Sequence, residues 1–289
     1  VNEITPQSRP KRKAQLAACA SPILRWAPGR RALEYDVYLG DDREAVANTT
    51  TESPGIYRGR QSWKQITYDA GILEWCKTYY WRIDEVNEAD PTSPWKGDVL
   101  GFTTGNFLVV DDFEGYRNDW MAGKTISDTW IASGGGSVGN WDPPEGPYAE
   151  QQIVHSGRQS MPMDYNNVSK PWYSEAERTW ETPQDWTING ADAPTLYFRG
   201  QVGNARDRLY IAIEDSAGQI AVVPHSDADA VLATEWQKWD IPLAGVRAAG
   251  VDPAAVTKMV IGVGDRDHPQ PGGTGKIYID DIRLTKRTL

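Results

Sequence analysis

The chain is poor in cysteine. Its 289 residues include two, Cys19 and Cys76, too few for the disulfide framework of a small secreted scaffold. They either form one bridge, which implies an oxidising compartment, or stay as buried thiols; sequence spacing gives no distance between them. Long apolar runs are missing too, and none approaches the roughly 18–20 residues that span a bilayer. Excess positive charge is also absent: 30 Lys and Arg stand against 40 Asp and Glu, a net charge of −10. That argues against a nucleic-acid partner, because binding by counterion release needs a basic surface. The three histidines, His155, His225 and His268, are too scattered for a metal motif. Phenylalanine is scarce, at 4, beside 13 Trp and 13 Tyr. The aromatics that dominate carry a polar handle, which suits ligand-stacking surfaces as well as cores.

What is present is a series of short segments with period-two alternation, divided by Gly, Pro, Asn and Asp. Expected strands are 23–26, 34–39, 79–86, 98–103, 195–199, 209–215, 219–223, 237–242, 258–264 and 276–284; only 244–256 invites a short helix. The fold class is therefore all-β, as two tandem β-sandwiches. Residues 1–14, with the polar run Arg9-Pro10-Lys11-Arg12-Lys13, read as a linker with no signal-peptide core. The chain is expected to be a mature or excised piece of a longer protein. One domain is expected over 15–104 and a second over 105–289. Charge is divided unevenly between them: residues 1–104 balance at 14 basic and 14 acidic, and residues 105–289 hold 16 and 26.

The first segment carries Leu24-Arg25-Trp26, Tyr35-Asp36-Val37-Tyr38-Leu39, Leu73, Thr78-Tyr79-Tyr80-Trp81 and a closing Gly101-Phe102-Thr103-Thr104. It resembles a fibronectin type III-like domain over nearly its whole length. The resemblance implies a core role for Trp26 and a tyrosine corner at Leu73 and Tyr79, altered by Trp75-Cys76 where the family often has Pro-Gly. It also implies a spacer; Trp63, Trp75 or Trp95 would be the contact surface if the domain binds instead.

The second segment opens on Val109-Val110-Asp111-Asp112-Phe113-Glu114 and closes on Tyr278-Ile279-Asp280-Asp281-Ile282. Acids inside apolar strands need a partner, and a hard cation held by carboxylate and carbonyl oxygens is one; a solvated strand end or turn cap is the other reading. The segment resembles the jelly-roll of carbohydrate-binding modules of the family-4 and family-22 type. That resemblance implies structural calcium, with Glu114 and Asp280 as ligands and Asp112 and Asp281 as candidates.

Sugars are held by flat aromatic faces together with planar polar side chains. Trp141, Tyr148 and Glu150 offer that mix in a Pro-rich loop, Trp172 and Tyr173 in a second segment, and Asp265, Arg266, Asp267 and His268 in a third. If Leu196, Phe198, Leu209, Ile211 and Ile213 face the core, then Tyr197, Arg199, Arg208, Tyr210 and Glu214 share the opposite face. Trp130, Trp180, Trp186, Trp236 and Trp239 are expected in the core. Glu175 and Glu177 place two acids on one face of a strand. The Glu-x-Asp-x-x-Glu strand of laminarinase-type hydrolases is absent, and Tyr210, His155 and Arg208 have no spacing that marks a lyase. The expected function is non-catalytic polysaccharide or oligosaccharide binding within a larger multimodular protein, secreted or at the cell surface. The alternatives are a glycoside hydrolase or polysaccharide lyase on the same sandwich, or a structural and adhesive module.

Overall fold

The computed structural model describes residues 22–29, 32–119, 121, 123–142 and 145–286. The expected linker over 1–14 and Cys19 lie outside the described residues, and so does any pairing of Cys19 with Cys76, which is itself exposed. The chain divides into two units, 1–108 and 109–289. Among the described residues no helix is long and apolar enough to cross a membrane.

The first unit runs β1 (Ile23–Arg25), β2 (Glu34–Gly40), α1 (Arg43–Asn48), β3 (Tyr57–Ser62), β4 (Thr67–Asp69), β5 (Thr78–Val86) and β6 (Leu100–Thr103). A two-stranded sheet pairs β1 with β4, and a four-stranded sheet is ordered β3-β2-β5-β6. Between them Leu24, Trp26, Tyr35, Val37, Leu39, Trp81 and Phe102 form the core. Alternation sets this up: β1 buries only Leu24, while Ile23 and Arg25 are exposed. Ahead of β5, the Glu74 N–H donates to Tyr79 Oη at 3.2 Å. Arg82 is buried, pairs with Asp84 through two bonds of 2.8 and 2.9 Å, and donates to the carbonyls of Val46, Ala47 and Thr49 at the end of α1. It thereby satisfies carbonyls that a helix C-terminus leaves open. Trp63 is half exposed, at 51%.

The second unit contains β7 (Phe107–Asp111), α2 (Ile126–Thr129), β8 (Ile131–Gly134), β9 (Ser137–Val138), β10 (Asn140–Asp142), β11 (Glu145–Tyr148), β12 (Met161–Asn166), β13 (Tyr173–Gln184), β14 (Ala193–Gly200), β15 (Leu209–Asp215), β16 (Ile220–Pro224), β17 (Gln237–Asp240), α3 (Leu243–Ala248), β18 (Val256–Gly264) and β19 (Thr274–Thr285). One sheet is ordered β17-β14-β19-β12-β9, with β7 also paired to β19; the other is ordered β16-β15-β18-β13-β8. The opening and closing strands of the unit are thus hydrogen-bonded neighbours. Leu196, Phe198, Ile277, Ile279, Met161 and Met163 on the first sheet, and Leu209, Ile211, Ile213, Met259, Ile261 and Val263 on the second, are all buried. These alternate positions form the inner faces of a β-sandwich.

The topology corrects one sequence expectation. Tyr197 and Arg199 lie on β14 in the six-stranded sheet, whereas Arg208, Tyr210 and Glu214 belong to β15 or its approach, in the five-stranded sheet. They do not share a face. Alternation assigns a side within a strand and says nothing about which sheet the strand joins. The tryptophans divide as well: Trp130, Trp186 and Trp239 are buried, but Trp180 and Trp236 are only half-buried.

Candidate functional site

The outer face of the five-stranded sheet is read directly from its register. Ser133, Glu175, Gly262, Tyr210 and Pro224 lie in one row across the five strands. Ile131, Glu177, Val260, Ala212 and Val222 form the next row, and Thr179, Lys258, Glu214 and Ile220 the one after. Directly opposed residues point to the same side. This side is therefore polar at its centre, over Gly262, Ala212 and Val260, with exposed Ile131 and Ile220 on the two edge strands.

At its centre is Glu175, only 2% exposed. Tyr210 Oη donates to its Oε1 at 2.5 Å, Ser133 Oγ donates to its Oε2 at 3.2 Å, and Arg266 Nη1 stands 3.3 Å from Oε1. A buried carboxylate is stable only when paired and hydrogen-bonded in this way. Tyr210 reaches Glu175 because residue 262 is glycine: a Cβ there would stand 2.1 Å from Tyr210 Cζ, so the ring lies across β18. Burial first, then the bond to Glu175, pushes the Tyr210 phenol far above its ordinary pKa. Tyr210 is therefore a neutral donor and, at 1% exposure, part of the foundation of this face.

The groups that solvent reaches stand beside it. Glu177 accepts from the same Ser133 Oγ at 2.9 Å. Lys258 Nζ lies 3.0 Å from Glu214 and 3.9 Å from Glu177, and all three side chains are 27–30% exposed. Arg266 is similarly half-buried, Tyr173 flanks the upper row, and Arg208 is exposed beyond it. Every charge in this ladder has an opposite charge beside it, so what it offers to solvent is an array of hydrogen-bond donors and acceptors with little net charge.

The fold thus brings Tyr173, Arg208, Tyr210 and Arg266 of the sequence candidates to one face and adds Ser133, Glu175, Glu177, Glu214 and Lys258. Asp265, in the same loop as Arg266, accepts from the backbone N–H groups of Asp267 and His268, both exposed. Trp172 is half-buried with Lys170 Nζ 5.2 Å from its ring centroid. Trp141, on β10, is the most exposed tryptophan among the described residues, at 69%; Tyr148 follows on β11. Glu150 accepts from Asn140 Nδ2 and from the Gln152 and Ile153 N–H groups. Burial would raise its pKa, but these bonds outweigh it and hold the carboxylate below its usual range. Tyr197 and Arg199 lie on the other sheet.

The acids at the ends of the unit converge on one loop, 155–159. Glu114 Oε1 accepts from the Arg158 and Gln159 N–H groups at 2.6 and 2.9 Å. Asp280 Oδ2 accepts from the His155 and Ser156 N–H groups at 2.8 and 3.2 Å. Asp281 pairs with His155 Nδ1 at 2.6 Å and Arg283 Nη2 at 2.5 Å. Asp112 Oδ1 caps the Glu114 N–H at 3.2 Å, and burial raises its pKa. Among the described residues no three His, Cys, Asp or Glu side chains gather as a metal cluster. Asp111 was passed over as a site residue, yet it accepts from Phe113 N, Tyr116 Oη, Trp130 Nε1 and Arg178 Nη1.

No protein-family model and no curated protein matches the chain. Among solved structures, it is similar to a family 11 carbohydrate-binding module from Clostridium thermocellum in complex with a β-1,3-1,4-mixed-linked tetrasaccharide. Identity is 13% and the TM-score 0.39, over 61% of this chain and 94% of that one. It is similar to a family 22 xylan-binding domain from Paenibacillus barcinonensis, at 13% identity and TM-score 0.34, over 57% and 90% of the two chains. It is also similar to an agarase, at 14% identity and TM-score 0.44, covering 63% of this chain and 26% of the agarase.

Proposed function

We propose that the second unit binds a polysaccharide chain on the outer face of the five-stranded sheet without cleaving it. The first unit, fibronectin type III-like, then serves as a spacer within a larger secreted or cell-surface protein. The observation that carries the reading is the self-paired ladder Glu177–Lys258–Glu214 beside Tyr173, Ser133 and Arg266. Sugar hydroxyls both donate and accept, and a face of balanced charges meets them without the uncompensated charge that an ionic ligand would have to match. Hydrolysis needs two carboxylates that both reach the glycosidic bond. Glu175 cannot be one of them, because it is buried and bonded to Tyr210, Ser133 and Arg266.

The test is affinity electrophoresis through gels containing a panel of soluble glycans: mixed-linked β-glucan, xylan, agarose oligomers and mannan. At least one should retard the protein, and a Glu177→Ala, Lys258→Ala double variant should bind at least about tenfold more weakly, the loss expected for two or more charge-assisted hydrogen bonds. No retardation by any glycan would overturn the reading. Release of reducing ends would replace it with a hydrolase.

The same reading gives the loop at 155–159 a calcium ion. The donors fit in kind, since Glu114 and Asp280 bring oxygens from the two ends of the unit to one loop, and main-chain carbonyls and water commonly complete such a shell. Bound calcium would clasp the opening strand to the closing one. Adding calcium to chelator-treated protein should raise the melting temperature of the second unit, and continue to raise it logarithmically once calcium exceeds its dissociation constant. An unchanged melt at millimolar calcium counts decisively against the ion.

A further inference from the structure

The outer face of the other sheet holds a group that the glycan-binding reading leaves unused. On β14, Tyr197 and Arg199 point outward; across the ladder Arg199 is opposite Tyr278, and Tyr197 is opposite Asp280 on one side and Lys238 on the other. The His155 ring lies flat on Tyr197, with centroids 3.6 Å apart and planes 17° from parallel. Trp236 meets His155 edge-on at 5.7 Å. Arg199 is half-buried, with Tyr197 on its own strand, Tyr278 opposite it on β19, and Trp236 just ahead of β17.

The cations on this face differ in one respect. Lys238 is 2.9 Å from Asp240, Lys276 is 3.3 Å from Asp164, and Arg283 is 2.5 Å from Asp281. Arg199 has no such carboxylate among the described residues; its Nε donates to the Gly200 carbonyl at 3.3 Å, leaving both Nη groups available. A half-buried guanidinium with an open fork is matched by a planar two-oxygen anion, which it binds through two parallel hydrogen bonds. Trp236, half-buried, is an apolar surface of the kind that packs on the C–H face of a sugar ring, while Tyr278, 5% exposed, and Tyr197, covered by the His155 ring, serve as the floor.

We propose that Arg199, with Tyr197, Tyr278 and Trp236, forms a second ligand site that selects a sugar bearing a carboxylate, a uronic acid unit. Its occupant is a single uronate carried on an otherwise neutral glycan. Residues 105–289 hold 16 basic and 26 acidic side chains, and that field repels a continuous polyuronate while one carboxylate can be met by one guanidinium. The site lies on the opposite sheet from the Glu177–Lys258–Glu214 face and stands or falls independently of it.

Titration of the 289-residue protein with methyl β-glucuronoside, followed by amide NMR shifts, tests this. Saturable shifts should centre on Tyr197, Arg199 and Tyr278. The methyl ester of the same sugar and the Arg199→Gln variant should each weaken binding on the order of ten- to a hundredfold, the loss of a charge-assisted bidentate contact. Arg199→Lys, which keeps the charge and loses the fork, should weaken it nearly as much, with melting temperatures of both variants unchanged. Equal binding of acid and ester, undiminished binding by Arg199→Gln, or no saturation at millimolar sugar would overturn the site. Tighter binding of a sulfated glycoside than of the glucuronoside would overturn carboxylate selection, as would tighter binding of polygalacturonate than of the single uronate.

Discussion

Replacing Asp111 by alanine should destabilise the second unit by about 3 kcal/mol or more, the cost of removing one partner from a buried ion pair. Asp111 is 8% exposed, and its carboxylate gathers groups from four places. The Phe113 N–H donates to Oδ1 at 2.9 Å. Tyr116 Oη and Trp130 Nε1 donate to Oδ2 at 2.5 and 2.9 Å, and Arg178 pairs with the same oxygen. The burial that accompanies this cluster raises the Tyr116 pKa, aided by the Asp111 charge, so Tyr116 remains a donor across the ordinary pH range. Alanine would leave an arginine, an indole N–H and a phenol without their acceptor, and the indole, on a fully buried Trp130, cannot turn to bulk water. For a unit of this size, the loss corresponds to a fall in melting temperature of about 10 °C. Asp111→Asn tests the charge separately: it keeps an acceptor but not the ion pair with Arg178, and should fall between wild type and alanine. A melt of Asp111→Ala within 2–3 °C of wild type, measured by calorimetry, would show that this cluster is not where the unit's end is held.

The strands of this protein were legible where alternation is strong and punctuation clear. Leu209–Asp215, Val256–Gly264 and Thr274–Thr285 fall within two residues of their expected bounds, because Ile, Val and Leu alternate there, and Asp215 and Gly264 close the first two runs. Met161–Asn166 escaped because Pro162 interrupts it; Tyr57–Ser62 and the helix Arg43–Asn48 escaped because neither has an apolar stripe long enough to count.

The candidate site was half legible, for a different reason. Residue type marked Tyr173, Tyr210 and Arg266, but no local pattern says that β13 lies beside β18, or that Gly262 leaves room for a tyrosine to cross it. Glu175 was visible as an acid on a strand face and could be read equally as solvated. Its burial is decided by residues 35 and 91 positions away, Tyr210 and Arg266. The same non-local pairing split Tyr197 and Arg199 from Arg208 and Tyr210 and gave the second unit two outward faces in place of one.

In chelator, the second unit should lose stability as pH rises from about 4 to about 7, and Asp280 should be responsible. Its carboxyl is fully buried, and burial together with the charge of Asp281 pushes its pKa up to about 7, against the opposing pull of the Ser156 and His155 N–H groups. The sign follows from proton counting. Between the unfolded pKa near 4 and the folded value near 7, the folded state keeps a proton that the unfolded state has lost, so stability falls with rising pH and levels off above 7. A shift of that size amounts to something on the order of 4 kcal/mol across the window. His155, Asp281 and Arg283 surround the group, so the readout is the difference between wild type and Asp280→Asn in urea titrations at pH 5 and pH 8. The variant starts from lower stability, because asparagine offers one acceptor oxygen where Asp280 uses two, but its stability should change less between the two pH values. Calcium adds the opposite slope: a cation on this loop competes with the proton and favours the ionised carboxylate. With saturating calcium the wild-type decline should vanish or reverse. A decline of equal steepness with and without calcium would mean that no calcium binds at the 155–159 loop, and a decline of equal steepness in Asp280→Asn would place the titrating group elsewhere.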